Sequence, residues 1–248
     1  MLWKRITHTC FCFLVMNLIL IGIWRQRDTF KHLRSARHGL CAPVRRTYNS
    51  IVPSHVSDNP LIVVAGMGTT GTRWLSQQIY ELGYEIGHWK TMYTSNETLK
   101  TYWRDDLWKS LMTFRLKHNA TFIQSFDFTV LDHVDGVSDT PIQYMLPWLL
   151  RSYPNARVIL SERDTFSWAQ SRLRKHKYAS LYYNSLFLKR NGLADETPNV
   201  QDFSMSFDLY NMFVRCCVDN LLRINVFEED QKVVKKRLKR FLEHAAET

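Results

Sequence analysis

Two glycines, Gly66 and Gly71, lie directly after the apolar run "LIVVA" and directly before a stretch of helical periodicity that starts at Thr72. The spacing G-x-x-x-x-G between a strand and a helix is that of a loop that holds phosphate. Glycine permits left-handed φ and close backbone approach, and the amides that open the helix point at an anion. Loops built for a nucleoside triphosphate carry Lys and then Ser or Thr after the second glycine, whereas here Thr72 and Arg73 stand there. The loop specifies an anion but neither a triphosphate nor its magnesium. A second pair follows: Arg163 at the end of the run "RVILSE", and Ser171 eight residues later. Two helical turns cover about seven residues, so a strand-end Arg and a Ser down the next helix can flank one anion, the Arg as a fork of donors and the Ser as a hydroxyl.

These residues need a scaffold. From Asn59 onward short apolar runs alternate with helical segments, the pattern of a parallel sheet with crossover helices. The pattern predicts strands at 61–66, 84–87, 157–162 and 221–227, and helices at about 72–82, 98–117, 141–152, 165–177, 206–219 and 230–244. The fold class is α/β, a three-layer fold around a central, mainly parallel sheet. The last helix sets Val233, Val234, Leu238, Phe241 and Leu242 on one face and its lysines and arginines on the other, as an amphipathic surface helix does. There is no internal repeat.

The run "TTGTRWL" resembles the 5'-phosphosulfate loop of the sulfotransferases, and "NARVILSERDTFSWAQSRLRKH" (155–176) resembles the segment with which they grip a 3'-phosphate. "YELGYEIGHW", "DTPIQYMLPWLLRSYPNARVILSERD" and "LLRINVFEED" look like successive segments of one group of that family, so the resemblance covers most of residues 60–244. It implies a P-loop fold and 3'-phosphoadenosine 5'-phosphosulfate (PAPS) as cofactor, with no metal. The cofactor-binding set it implies is Gly68, Thr69, Thr70, Gly71, Thr72 and Arg73 at the 5' end, with the amides of 69–72 and the hydroxyls of Thr70 and Thr72 as donors, and Arg163 and Ser171 at the 3'-phosphate. It further implies sulfuryl transfer to a hydroxyl, or an amine, of a glycan, glycolipid or related acceptor. Two positions depart from the family: Thr165 stands where a proline is common, and Thr69 where relatives place Lys or Arg.

An in-line sulfuryl transfer needs a held donor, stabilisation of the bridging oxygen and a base for the acceptor proton. Asp139, in "SDTP", is the first candidate base and His88 the second; His133 and His176 have weaker positional claims. Asp139 before Pro141 equally suits a helix cap. For the bridging oxygen the candidates are Arg73 and then Lys90. Should neither reach it, the chain is a nucleotide-binding relative with weak or no turnover. A P-loop kinase is the more distant alternative, since it requires the lysine that Thr72 replaces. The aromatic runs "TYWRDDLW" (101–108) and "KYASLYYNSLFLKR" (177–190) suit core packing first and an acceptor cleft second.

Of the chain's 33 Lys and Arg, nine lie at or before Ser57, with one acidic residue, so that segment carries +8 of the net +10. The remainder is nearly neutral, which excludes a general nucleic-acid-reading surface. Residues 1–5 form a short tail. Residues 6–24, "ITHTCFCFLVMNLILIGIW", are long and apolar enough for a transmembrane signal anchor, and "GIWRQR" lacks the small residues of a cleavage site. Residues 25–58, without regular periodicity, read as a basic stem, and 59–248 as the catalytic domain. Basic residues after the span favour a cytosolic domain by the positive-inside rule. The sequons at Asn96 and Asn119 favour a lumenal one, as acceptors of N-glycans. The short span suits an early secretory membrane, so the expectation is a single-pass type II protein of the Golgi membrane, with the endoplasmic reticulum or organellar import as alternatives. Beyond Cys10 and Cys12 in the span there are Cys41, Cys216 and Cys217, with no metal-ligand spacing. A bridge from Cys41 to either neighbour, a link between chains and a homodimer all stay open.

Overall fold

The computed structural model describes residues 37–53, 55–117, 126–175 and 199–244. The apolar run 6–24, the aromatic run 177–190, Asn119 and His176 lie outside them. Among the described residues no helix is long and apolar enough to cross a membrane.

Six strands form one sheet: β1 Ile62–Val64, β2 Ile86–His88, β3 Thr91–Tyr93, β4 Gly136–Ser138, β5 Arg157–Ser161 and β6 Leu221–Ile224. Their order is β3-β2-β4-β1-β5-β6, and every pairing is parallel except the β2–β3 hairpin at the edge. Two of the six, β3 and β4, are absent from the sequence-based expectation. β3 reads "TMY" and β4 "GVS", so neither forms an apolar run that stands out from its surroundings. β4 is a strand because it lies between β1 and β2 and pairs with both.

The alternation along β1 assigns the two faces. Leu61, Val63 and Ala65 enter a large core with α5 (Ile142–Ser152), α6 (Thr165–Lys175) and α7 (Val200–Cys217), while Ile62 and Val64 enter a smaller one with α2 (Thr72–Glu81) and α8 (Gln231–His244). Burying each Leu, Ile or Val side chain contributes about 1.5–3 kcal/mol. Three layers result, as the alternating pattern predicts. α8 turns Val234, Leu238 and Leu242 inward and leaves its lysines exposed.

The single helix expected at 98–117 is interrupted. It runs as α3 Glu97–Tyr102, a π-helical turn Trp103–Leu107 and α4 Trp108–Lys117. The π-turn carries Trp103, whose ring lies against Gly87 where a side chain would collide with it, and whose indole N–H donates to the Trp89 carbonyl at 2.8 Å. Trp103 is fully buried, so this member of the aromatic run packs core.

Within the segment read as an irregular stem, residues Arg37–Asn49 form a helix, α1. It docks on α7 through the Cys41–Cys216 disulfide (Cα–Cα 5.0 Å), Arg45 to the Cys216 carbonyl and Asp219, and Tyr48 edge-on to Phe213. A helix held this way takes its stability from its partner, so its own sequence need show little periodicity. Cys217 is a buried free thiol, pushed up to about 12 chiefly by burial, and is inert as a nucleophile.

Candidate active site

In an open parallel sheet the crevice lies at the carboxyl ends of the strands. Four strands deliver the candidate residues there: β1 leads into the glycine loop, β2 ends at His88, β4 is followed by Asp139, and β5 by Arg163. β4, the strand the pattern missed, carries the first candidate base.

The loop is held by its own side chains. The Thr70 hydroxyl donates to the Met67 carbonyl at 2.6 Å, Ser161 donates to the Thr70 carbonyl, and the Trp168 indole N–H donates to the Gly68 carbonyl at 2.9 Å. The Thr70 hydroxyl is therefore turned inward. Among the described residues no backbone carbonyl accepts from the N–H groups of Gly68, Thr69, Gly71, Thr72 or Arg73. Four other helices begin under a side-chain cap, from Asn96, Asp164, Asn199 and Asp230; α2 begins under Gly71, at φ 91°, with no cap. An uncapped helix start with several free donors suits an anion. The Thr69 hydroxyl is buried against the loop without a partner.

Asp139 and His88 meet. Nε2 of His88 is 3.4 Å from Asp139 Oδ2 and 3.4 Å from the Thr72 hydroxyl. His88 lies in the interior, and burial lowers its pKa; Asp139 opposes that shift and the charge of Arg73 adds to it. The imidazole is therefore neutral at neutral pH, with the carboxylate and the Thr72 hydroxyl both beside its Nε2. The other oxygen of Asp139 faces the loop, 3.3 Å from the point a Cβ at Gly68 would occupy. Below the pair, Ser76 and Ser138 share a hydrogen bond of 2.7 Å, with Ser138 also on the Gly87 carbonyl and Ser76 on that of Thr72, so buried hydroxyls tie α2, β4 and β2 together.

Arg163 donates to the Thr69 carbonyl at 3.2 Å and lies over the exposed ring of Phe227, 4.3 Å from its centroid. Its neighbour Glu162 is paired with Arg215 and Arg223, so it does not compete for Arg163. Ser171 is buried in α6, and no hydrogen bond joins it to Arg163. Arg73 is exposed on the first turn of α2. Lys90 lies over the Trp108 ring at 4.7 Å, and His133 is at the amino end of β4, remote from the strand mouths. Sequence reasoning missed Arg172, whose guanidinium projects over Gly68. The signal for it is the i, i+4 spacing from Trp168, which puts both on the loop-facing side of α6.

The three described non-glycine residues with positive φ are Thr69 (73°), Trp89 (51°) and Asp139 (64°). All three lie at the mouths of β1, β2 and β4, where such strain accompanies a functional site.

A mainly parallel α/β sheet thus brings a glycine loop, an Asp–His pair and an Arg to adjoining strand ends. A family model described as a sulfotransferase domain matches residues 61–246, and the chain belongs to that family. The chain is also similar to Ava biosynthesis cluster protein M of Aspergillus versicolor, 32% identical over 111 residues, which is 44% of this chain and 40% of that protein. The match therefore spans well under half of that relative's length.

Proposed function

We propose that the protein transfers a sulfuryl group from PAPS to a hydroxyl, or an amine, of a glycan, glycolipid or related acceptor. The observation that carries this reading is the uncapped glycine loop, five of whose amides have no backbone acceptor among the described residues, directly beside an Asp–His pair. The amides of Gly68, Thr69, Gly71, Thr72 and Arg73 and the Thr72 hydroxyl hold the 5' end of the cofactor, and Arg163 and Ser171 the 3'-phosphate, with Phe227 as an apolar surface beside Arg163. The fit rests on donors that the fold leaves unengaged and on the buried, unpartnered Thr69 hydroxyl. Bound there, PAPS supplies the sulfuryl group. Asp139 takes the acceptor proton on the oxygen that faces the loop, with neutral His88 3.4 Å from its other oxygen.

The Cys41–Cys216 disulfide supports a domain in an oxidising compartment. Together with the apolar run 6–24 and the exposed sequon residue Asn96, it favours a lumenal domain on a type II anchor in the Golgi membrane.

Calorimetric titration of the full-length chain with adenosine 3',5'-bisphosphate and with ATP tests the cofactor assignment. Micromolar binding of the bisphosphate, markedly poorer binding of ATP, and weakening by Arg163→Ala and Ser171→Ala are expected. A folded protein that binds neither, or both equally, refutes it. Labelled donor with a panel of glycan and glycolipid acceptors then tests transfer.

A further inference from the structure

The loop lacks a basic side chain of its own at its centre. Thr69 occupies the position before Thr70-Gly71-Thr72, Arg73 is exposed on the outer turn of α2, and Arg163 is engaged with the Thr69 carbonyl and the Phe227 ring. One more cation reaches the loop, and it comes from α6. Trp168 pins this helix: its ring stacks on Phe207 with centroids 4.4 Å apart, and its indole N–H holds the Gly68 carbonyl. Arg172 follows one turn later on the same face. A Cβ at Gly68 would lie 2.5 Å from Arg172 Nη1 and 3.3 Å from Asp139 Oδ1. Residue 68 is thus a glycine because a guanidinium and a carboxylate both crowd the space a side chain would fill, beside the Gly68 and Thr69 amides that no backbone carbonyl among the described residues engages.

We propose that Arg172 is a cofactor-facing residue: it supplies, from α6, the positive charge at the phosphosulfate end that position 69 does not supply from the loop. This rests on the PAPS reading above. A charge fixed by a helix that Trp168 anchors is preorganised, which is what stabilising a developing negative charge requires.

The test compares two nucleotides that differ only at the 5' end, adenosine 3',5'-bisphosphate and adenosine 3'-monophosphate, titrated into the full-length wild type, Arg172→Gln, Arg172→Lys and Thr69→Lys/Arg172→Gln. Arg172→Gln is expected to weaken the bisphosphate roughly ten- to hundredfold, as for loss of a charged hydrogen-bond donor, and to leave the monophosphate unchanged. Arg172→Lys is expected to retain most of the affinity, which separates charge from folding. The double variant is expected to regain it, because a lysine at 69 returns the charge to the loop and adds no backbone penalty where a β-branched Thr already holds positive φ. Bisphosphate affinity unchanged in Arg172→Gln, equal loss of both nucleotides, or no recovery in the double variant overturns the role of Arg172. A wild type that binds neither nucleotide overturns the cofactor reading itself.

Discussion

Replacing Gly71 by Ala probes the loop most directly. Gly71 is at φ 91°, and a Cβ there would lie 3.4 Å from Val226 Cβ and well inside contact distance of Val226 Cγ2, on the segment that follows β6. Two costs follow. An L-residue in the left-handed region loses about 1–2 kcal/mol, and an extra methyl in a filled space costs about 1–3 kcal/mol, so Gly71→Ala destabilises by roughly 2–5 kcal/mol. For a chain of this size each kcal/mol lowers Tm by about 2–4 °C, giving a fall of roughly 10 °C. Thermal and urea unfolding of Gly71→Ala, Val226→Ala and the double variant separate the two costs. Val226→Ala makes room for the new methyl but leaves the backbone strain, so the double variant is expected to be more stable than the sum of the singles by about 1–3 kcal/mol. A Gly71→Ala protein within about 0.5 kcal/mol of wild type, or strictly additive singles, would refute the reasoning.

Asp139→Asn keeps the shape of the site and removes its base; transfer from labelled PAPS is expected to fall about a hundredfold or more with bisphosphate affinity nearly unchanged, and full retention of rate would exclude Asp139 as base. His88 is held below its ordinary 6.5 by burial, so the unfolded state binds the more protons and stability falls as pH drops from about 6.5 toward the depressed native value. In urea unfolding across that window His88→Gln is expected to flatten the slope, and an unaltered slope counts against the assignment. Cys41→Ser, which releases α1 from α7, is expected to cost about 2–4 kcal/mol, read as a lower urea midpoint than that of the oxidised wild type; equal midpoints would make the disulfide incidental.

The loop and its two flanks were legible because each carries a signal strong enough to survive without context. "LIVVAGMGTTGT" joins an apolar strand to glycines, and Arg163 stands at the end of another apolar run. β4 was not legible, since "GVS" holds a single large apolar side chain and its pairing with β1 and β2 is a property of the sheet. Asp139 was found through a family resemblance, while its contact with His88 depends on that unread strand and on the parallel register of Ser138 with Val64 and His88. The break in the helix 98–117 escaped for a related reason: the apolar spacing is nearly continuous, and what inserts the extra residue is the fit of Trp103 onto Gly87, two segments apart. α1 escaped because its stability is borrowed from α7.

The strained residues show how the fold keeps the site open. Left-handed backbone at Thr69, Trp89 and Asp139 costs of order 1–3 kcal/mol each, so something must hold each one in place. Each carbonyl oxygen is captured: that of Thr69 by Arg163, that of Trp89 by the Trp103 indole, and that of Asp139 by the Ile142 amide at the start of α5. The captors differ in kind. Trp103 and the α5 amide belong to the core and are indifferent to ligand, whereas Arg163 is itself one of the proposed phosphate donors. On the proposed assignment, a 3'-phosphate drawing on Arg163 would act on the same guanidinium that holds Thr69, and this one side chain would join the two ends of the proposed site. The Asp139–His88 side is fixed by Trp103, α5 and the buried serines, and it meets the loop through the Thr72 hydroxyl, 3.4 Å from His88 Nε2.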